Sequence, residues 1–568
     1  MARLLFLPIF LAVFNAAAQT PLLPLSEVRQ GMRGIGKTIF QGDRVEDFQV
    51  EVLGVLENAG PKQSIILARL SGGPLEKSGV LQGMSGSPVY VNGRLMGAVA
   101  LSFAFSKEPI AGIRPIEEML RVGAGGRALN VAKLEDLVAK PYEVGGGARL
   151  IEVATPLSLA GFTASTLEHF APQLRALGLE PMQGTLGGNA AASALPGGKR
   201  LTPGSMISVQ LVTGDLNVAA DGTITHIDGN RVYALGHRFL AVGPTSLPFS
   251  RSEVLTLLPN VNTSFKISAS KEWQGSITGD YSAAVAGEIG RKAALVPVSL
   301  AVNRRQNYKF SLVEDRLLTP FFLQMAMYSA IEATERTAGS GTVAVRGAIE
   351  FVNGKRVRVD NIYSADNGAP LPSSLAASIP LSYAMQSGYP EFRVKGLDLQ
   401  IDTDERKRQY QIDQFWTSRT VVKPGEPLEL HVTLTGPGGV EVKRSATWRV
   451  PTGAPQGALQ LTVTDAMSTN LADYSHILTQ PPNSSAQVSR LLNGLRPNDT
   501  LTVRIWRADP GYLVQGQNLP APPPSLALLL KRTPGAAMPG ASSKLAEFDF
   551  KVDAPVAGSR SIQLEVKE

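Results

Sequence analysis

One serine in this chain stands in a setting that suits nucleophilic chemistry. Ser85 follows Gly83 and Met84, precedes Gly86, and has Pro88 three residues further on. Glycines permit backbone conformations that a Cβ would forbid, so the amides of Gly83 and Ser85 can point at one spot. Two such N–H groups form an oxyanion hole, in which the loss of one donor slows acyl transfer by about 10²–10³. The loop predicts a hydrolase with Ser85 as nucleophile, and the alternative is a glycine-rich turn on a β-scaffold.

A serine hydroxyl becomes a good nucleophile only when a neighbouring base takes its proton. His237 is our candidate for that base because it ends a predicted strand, follows Gly236 and precedes a loop. Strand ends hold catalytic side chains rigidly while the adjoining loops leave room for substrate. We interpret the other four histidines as surface residues or as parts of separate domains: His169, His226, His431 and His476.

Both segments resemble a known family. Residues 82–89 and 234–237 are similar to the two catalytic signatures of the SpoIVB peptidase family, the sporulation-type serine endopeptidases. Residues 42–52 and 275–290 also resemble segments of that family, so the likeness spans roughly residues 30–300. In the sporulation protease the histidine precedes the serine, whereas Ser85 comes first here. A triad is defined by geometry and roles, so this order is compatible with the same chemistry.

The resemblance implies a trypsin-like double β-barrel with a Ser85–His237 pair, acting on a few envelope proteins or on itself. A third triad member is expected to orient the imidazole. Asp280 lies in a matched segment and is the first candidate; Asp215 is the second. The stretch where the family carries an aspartate offers only Glu76. Either aspartate could instead be a turn residue that bonds its own backbone, and a dyad without an acid is a further alternative.

The N-terminus predicts export. A short positive region at residues 1–3, an apolar run at 4–14 and small residues at 16–18 form a secretory leader pattern, so residues 1–18 are predicted to be a signal peptide. The apolar run is too short for a spanning helix. We therefore expect a periplasmic, extracellular or surface-associated protein without an integral membrane span.

The composition of the chain excludes several other classes of active site and binding function. The chain has no cysteine, which rules out a thiol nucleophile and any cysteine-ligated zinc. Its histidines show no metal-binding spacing, so no metal and no cofactor are predicted. The net charge of +7 comes from 55 basic and 48 acidic residues spread along the chain. Without a concentrated basic patch or a recognisable module, nucleic-acid binding is not expected.

Alternating apolar patterns and glycine-rich turns predict a mainly β chain. Hairpins are expected at Asn92-Gly93, Asp228-Gly229 and Asn353-Gly354, and helices over 167–177, 321–336 and 486–492. The predicted divisions are a first half of the peptidase region (20–190), a second half (200–310), a mixed extension (311–410), an immunoglobulin-like β-sandwich (415–482) and a C-terminal helix and strand region (483–568). The low-complexity stretch 191–204 is predicted to link the two halves, with the active site at their interface.

Two other functions are compatible with the same residues. A catalytically inactive, protease-like scaffold could bind or anchor envelope components, with Ser85 as a well-formed turn only. An esterase could use the same dyad, although the loop lacks the Gly-x-Ser-x-Gly elbow of α/β-hydrolases.

Overall fold

The computed structural model describes residues 20–60, 63–103, 106–122, 138, 141–144, 149–184, 199–260, 263–334, 341–366, 369–475, 482–508, 511–514, 517–519, 522–532, 538–540 and 542–567. The predicted leader, His476 and residues 191–198 of the predicted linker lie outside these ranges. The described part is mainly β, as expected.

The first lobe is an antiparallel sheet of eight strands, six of which close into a barrel. Its strands are β1 (Arg33–Ile39), β2 (Val45–Gly60), β3 (Gln63–Ser71), β4 (Pro88–Val91), β5 (Arg94–Phe103), β6 (Ile110–Pro115), β7 (Tyr142–Glu143) and β8 (Arg149–Glu152), with helices α1 (Leu75–Ser78) and α2 (Ile116–Leu120). The strand order is β4-β1-β2-β3-β6-β5-β8-β7, and a β4–β5 pairing closes the ring. Alternate residues Phe48, Val50 and Val52 of β2 point into the barrel core.

The second lobe is a sheet of thirteen strands that follows in the chain. Its strands are β9 (Thr155–Ala160), β10 (Leu179–Gln183), β11 (Met206–Gly214), β12 (Asn217–Asp228), β13 (Arg231–Ala234), β14 (Gly243–Leu258), β15 (Phe265–Tyr281), β16 (Ala284–Ile289), β17 (Leu295–Val302), β18 (Gln306–Val313), β19 (Gly341–Phe351), β20 (Arg356–Ala365) and β21 (Val394–Asp404). The order is β10-β9-β12-β13-β16-β15-β14-β11-β18-β17-β21-β19-β20. A further β11–β12 pairing means that six of these strands also form a closed ring.

Helices α3 (Ala164–Ala176), α4 (Leu318–Glu332) and α5 (Pro370–Gln386) pack on this sheet. The first two confirm predicted helices, although α3 begins earlier than predicted because Thr163 caps it by accepting the amide of Thr166. Helix α5 was not predicted: it contains Pro380 and is apolar on most of its surface, so it lacks the one-sided pattern of a surface helix.

Residues from 410 onward form a further unit built on two large sheets, and its helix at Ser485–Asn493 also packs into the second-lobe core. Its elements are β22 (Tyr410–Thr417), β23 (Val421–Val422), β24 (Pro427–Thr435), β25 (Glu441–Arg449), β26 (Gly457–Asp465), α6 (Ala466–Ser475), α7 (Ser485–Asn493), β27 (Thr500–Arg507), β28 (Gly511–Val514), β29 (Gln517–Leu519), α8 (Pro524–Arg532), β30 (Met538–Gly540), β31 (Ser543–Lys551), β32 (Val556–Ala557) and β33 (Ser559–Val566). Sheets β25-β24-β22-β32 and β23-β33-β26-β27-β31 share one hydrophobic core, and β29-β28-β30 form a small third sheet.

The sheets do not divide the chain where the predicted boundaries fall. Strands β9 and β10 lie in the predicted first half but pair within the second lobe, β9 with β12 and β10 with β9. The predicted linker therefore connects two strands of one sheet, because low-complexity composition marks exposure and says nothing about pairing. The extension at 311–410 likewise continues the second-lobe sheet, and strands from the regions 415–482 and 483–568 share one core, while Val488 and Leu492 of α7 pack into the second-lobe core.

All three predicted hairpins are confirmed. At the first, Asn92 and Gly93 both have positive φ, of 49° and 74°, as the tight turn between β4 and β5 requires. The other two join β12 to β13 and β19 to β20. Within the described ranges, no helix has the length and apolar character needed to cross a bilayer.

The antiparallel pairing of β1 with β2 places Gly36 opposite Phe48, so that a Cβ on Gly36 would lie 2.0 Å from Cζ of the ring. We expect Gly36→Ala to displace this buried ring and lower the free energy of unfolding by about 1–3 kcal/mol. Gly54→Ala on β2 is the matched control, since nothing lies within 4 Å of its Cβ position. Urea unfolding followed by circular dichroism measures both, and equal effects would contradict the packing argument.

Candidate active site

The nucleophile loop, residues 82–88, is a tight turn that leads into β4. The amide of Met84 donates to the Leu81 carbonyl (3.1 Å) and that of Ser87 to the Met84 carbonyl (2.9 Å). Gly86 has φ +92°, and a Cβ there would lie 1.9 Å from the Thr223 carbonyl oxygen. Glycine is therefore required directly after Ser85, both for its conformation and for the close approach of β12.

Strand β12 of the second lobe holds this loop by donating hydrogen bonds to three of the loop's carbonyl groups. The amide of Thr223 donates to the Ser85 carbonyl (2.8 Å), and the Thr223 hydroxyl donates to the Gly83 carbonyl (2.9 Å). The hydroxyl of Thr225 donates to the Gly86 carbonyl (2.7 Å). Among the described residues, the amides of Gly83 and Ser85 donate no hydrogen bond, so both are available to a ligand.

Two further backbone bridges join the lobes near the loop. Gly42 and Val254 exchange two hydrogen bonds of 2.8 Å each. The amide of Gln82 donates to the Ser264 carbonyl (2.8 Å), and the amide of Lys266 donates to the Gln82 carbonyl (3.2 Å). The nucleophile loop thus belongs to the first lobe by sequence and pairs with the second lobe through its main chain.

The segment that carries His237 meets the loop at the same place. The amide of Leu235 donates to the Thr223 carbonyl (3.2 Å), and both Leu235 and Gly236 have φ +69°. A Cβ on Gly236 would lie 3.3 Å from the Val99 carbonyl oxygen, which accepts the amide of Gly86 (2.7 Å). The neighbours of Ser85 and His237 therefore touch the same strands, and the structure brings these two predicted residues into one region.

The reactive atoms of both side chains are buried. Ser85 is 0 % exposed and His237 is 2 % exposed. Within the part of the chain that the structure describes, neither Ser85 Oγ nor His237 Nε2 has a hydrogen-bond partner, and the two are not bonded to each other. An orphaned buried polar atom costs about 1–3 kcal/mol, so two in one site call for an explanation. Catalytic hydrogen bonds are often long in a free enzyme and tighten when substrate binds.

The hydrogen bond of the other ring nitrogen, Nδ1, determines the tautomer of His237. Its Nδ1 lies 2.6 Å from the Arg238 carbonyl oxygen, which can accept a hydrogen bond but cannot donate one. The neutral imidazole therefore carries its proton on Nδ1 and presents Nε2 as an acceptor. Burial lowers the pKa of His237 below its usual value, while the negative charge of Glu152 acts in the opposite direction.

Buried charges surround the histidine, and sequence patterns did not reveal them. Arg114 of β6 is fully buried; its Nε donates to the Gly236 carbonyl (3.3 Å), and it pairs with Glu118 (3.3 Å). Arg238 pairs with Glu152 at the end of β8 (3.2 Å). Arg114 interrupts an otherwise apolar strand, Ile110–Pro115, and that was the available signal for a buried functional charge.

Asp280 does not contact His237. Its buried carboxylate accepts the amides of Phe239 (2.8 Å), Leu240 (2.7 Å) and Val242 (3.3 Å), in the loop that follows the histidine. The expected bond from an acid to Nδ1 is replaced by the bond to the Arg238 carbonyl. Burial raises the pKa of Asp280 to about 6, against the opposing effect of the three amides. The residue therefore organises the histidine loop without a hydrogen bond to the imidazole.

The other acidic candidates lie elsewhere. Asp215 is exposed in the turn after β11, where its carboxylate accepts the amide of Lys309 (2.7 Å). Glu76 is exposed on helix α1. Neither is hydrogen bonded to His237. No group of three or more histidine, aspartate or glutamate side chains within the described ranges is arranged to hold a metal ion.

The raised pKa of Asp280 has a consequence for stability. Between its ordinary pKa of 3.8 and the folded value of about 6, the folded state binds the proton more tightly, so the stability from this group is lost as the pH rises. We expect the advantage of the wild type over Asp280→Asn to shrink by up to about 3 kcal/mol between pH 4 and pH 7. Chemical unfolding at each pH measures it, and a difference that is constant with pH would contradict it.

Comparison with known proteins supports the first-lobe motif. Residues 14–120 match the family model described as SpoIVB peptidase S55, a range that includes the nucleophile loop and ends before His237. No curated protein and no solved structure gives a significant match to the chain. The placement of His237 beside the loop therefore rests on the structure of the second lobe. The match confirms that residues 14–120 belong to the SpoIVB-type serine peptidase family.

Proposed function

We propose that this protein is a serine endopeptidase in which Ser85 is the nucleophile and His237 is the general base. The observation that carries the proposal is the pair of buried, unpartnered atoms, Ser85 Oγ and His237 Nε2, on two segments that both bond to Thr223. The family match over residues 14–120 supports the same chemistry. The two closed strand rings support a trypsin-like double β-barrel with the site between them.

In the proposed reaction, Ser85 Oγ attacks the scissile carbonyl carbon and its proton passes to Nε2 of His237. The amides of Gly83 and Ser85 donate to the tetrahedral oxyanion. The imidazolium then protonates the leaving amine, which leaves an acyl group on Ser85. In deacylation, water attacks the acyl carbon as the same imidazole takes its proton; the imidazolium then returns a proton to Ser85 Oγ as the acyl–oxygen bond breaks and the acid leaves. Throughout these steps the Nδ1 proton stays on the imidazole and is hydrogen bonded to the Arg238 carbonyl, which takes the orienting role of a triad acid.

Asp280 supports this arrangement indirectly. By accepting the amides of Phe239, Leu240 and Val242, it fixes the loop that follows His237. The imidazole then has the orientation that its neighbouring backbone imposes. We therefore propose a Ser–His dyad in which Asp280 is a positioning residue.

The substrates that we propose are a few envelope proteins, and the protein itself. Ser85 and His237 are buried, so a peptide reaches them only after neighbouring residues move, which favours restricted cleavage over general digestion. The leader pattern at residues 1–18 supports export to the same compartment. Exposed Lys199 and Arg200 offer a site for self-processing. The two-sheet unit from residue 410 onward is proposed to be an immunoglobulin-like module that presents substrate.

The first test is labelling of the mature protein with a fluorophosphonate, read by intact mass. We expect one adduct, mapped to Ser85, that is lost in Ser85→Ala and forms at least about 100-fold more slowly in His237→Ala. His169→Ala, which changes an exposed histidine, is the matched control and should label at the wild-type rate.

No adduct on a correctly folded wild type, intact or nicked after Arg200, would overturn the peptidase proposal. A binding scaffold would then be the better account. An adduct on Ser85 in a protein that cleaves esters but no peptide bond would identify an esterase.

The pH dependence of labelling tests the role of His237 separately. Because burial lowers its pKa, neutral imidazole persists below pH 6.5, and the labelling rate should rise with pH and reach its plateau by about pH 7. Glu152→Gln removes a charge that raises this pKa, so the midpoint should move to lower pH. A midpoint above 6.5 in the wild type, or a shift to higher pH in the variant, would show that another group controls the rate.

A further inference from the structure

A buried lysine lies directly beneath the nucleophile loop. Lys266, on β15, is 0 % exposed, and its amide donates to the Gln82 carbonyl (3.2 Å). Its aliphatic stem packs against Gly83, where Cδ lies 3.4 Å from the position of a Cβ. The residue therefore contacts the loop through both its main chain and its side chain, next to one of the two amides of the proposed oxyanion hole.

The ammonium group belongs to a buried chain of hydrogen bonds between three side chains, which we call the relay: Lys266, Thr38 and Ser87. Lys266 Nζ donates to Thr38 Oγ1 (2.8 Å), and Ser87 Oγ donates to the same oxygen (3.0 Å). All three side chains are 0 % exposed. Ser87 is two residues from Ser85, so the relay links the second-lobe lysine to the far side of the nucleophile loop.

The charged group that faces Lys266 is Asp221 of β12. Three serine hydroxyls bond its buried carboxylate, those of Ser208, Ser252 and Ser268. Burial lowers the pKa of Lys266 to about 7, and the charge of Asp221 partly offsets this effect. Among the described residues, no carboxylate is within ion-pair distance of Nζ. Burying a lysine without a carboxylate at ion-pair distance lowers the stability of the folded state. This indicates that Lys266 has a specific role other than stabilising the fold.

We propose that Lys266 is a positioning residue for the nucleophile loop. Through Thr38 and Ser87 it holds the loop so that the amides of Gly83 and Ser85 face the oxyanion. Its ammonium also adds positive potential beneath the developing charge, where burial makes it more effective than in water. This inference rests on the proposed serine peptidase chemistry and assigns it a residue outside the Ser85–His237 pair.

The relay is tested with Lys266→Met, which keeps most of the stem, and Ser87→Ala, which removes one hydroxyl. The matched control is Lys271→Met on the same strand, whose side chain is 39 % exposed and pairs with Glu253. Fluorophosphonate kinetics separate kinact from KI, and thermal unfolding verifies the fold. We expect kinact to fall at least about tenfold in both relay variants with little change in KI, and the double variant to be no slower than the worse single one.

The outcomes distinguish this inference from the proposed function. An unlabelled wild type would end the peptidase proposal itself. A labelled wild type with folded relay variants that keep the wild-type kinact would overturn the role of Lys266. If Lys266→Met does not fold, Ser87→Ala and Thr38→Val decide: unchanged kinact in both overturns the inference, whereas a fall in kinact without loss of thermal stability supports it. A purely structural role would lower the melting temperature and leave kinact unaltered.

Discussion

The arrangement of the site depends on the hydrogen bonds of one buried residue, Thr223. Its amide holds the carbonyl of Ser85, its hydroxyl holds the carbonyl of Gly83, and its own carbonyl accepts the amide of Leu235. The strand that carries Thr223 thus lies between the nucleophile loop and the histidine segment and bonds to both. A shift of β12 would move the two segments relative to each other, and their contact at Val99 would be lost. Most other features of the site follow from keeping this strand fixed.

Main-chain groups do much of the positioning. Asp280 binds only amides, Arg114 reaches the Gly236 carbonyl, and the imidazole is oriented by the carbonyl of its own neighbour. Such contacts specify backbone geometry strongly and side-chain identity weakly. This explains why residues that matter to the site are scattered through the sequence without forming a motif. It also gives the buried charges of Asp280 and Arg114 a purpose, since each satisfies backbone groups that would otherwise be unpaired in the interior.

The sequence predicted the features that local geometry dictates. Glycines around Ser85 and at Asn92-Gly93 are required by positive φ, so the loop and the hairpin were recognisable. His237 could be selected because it follows Gly236 just after a strand, although that strand, β13, ends at Ala234 and the histidine lies in the bend beyond it. The role of Asp280 could not be predicted, because its partners are amides that carry no sequence signature. Glu152 was missed for a related reason: it is brought to the histidine region by the pairing of β8 with β5, which joins segments distant in the sequence.

Local sequence patterns also could not predict which strands belong to which sheet. A low-complexity stretch after β10 resembles a boundary between domains, yet β9 and β10 pair within the second-lobe sheet. Sheet membership depends on pairing between distant segments, and alternation identifies a strand without naming its partner. Helix α5 was missed for a different reason: most of its surface is apolar, which removes the periodic pattern by which a surface helix is recognised.

The bridges between the lobes are hydrogen bonds, and none of them involves the covalent connection between β8 and β9. The bonds at Gly42, Gln82 and Ser85 join backbone groups of the two lobes and do not themselves fix the order in which the lobes follow one another along the chain. The family resemblance includes a protease in which the histidine precedes the serine. Because the two lobes meet through non-covalent contacts, the surface on which they meet is compatible with either order of the serine and the histidine along a chain.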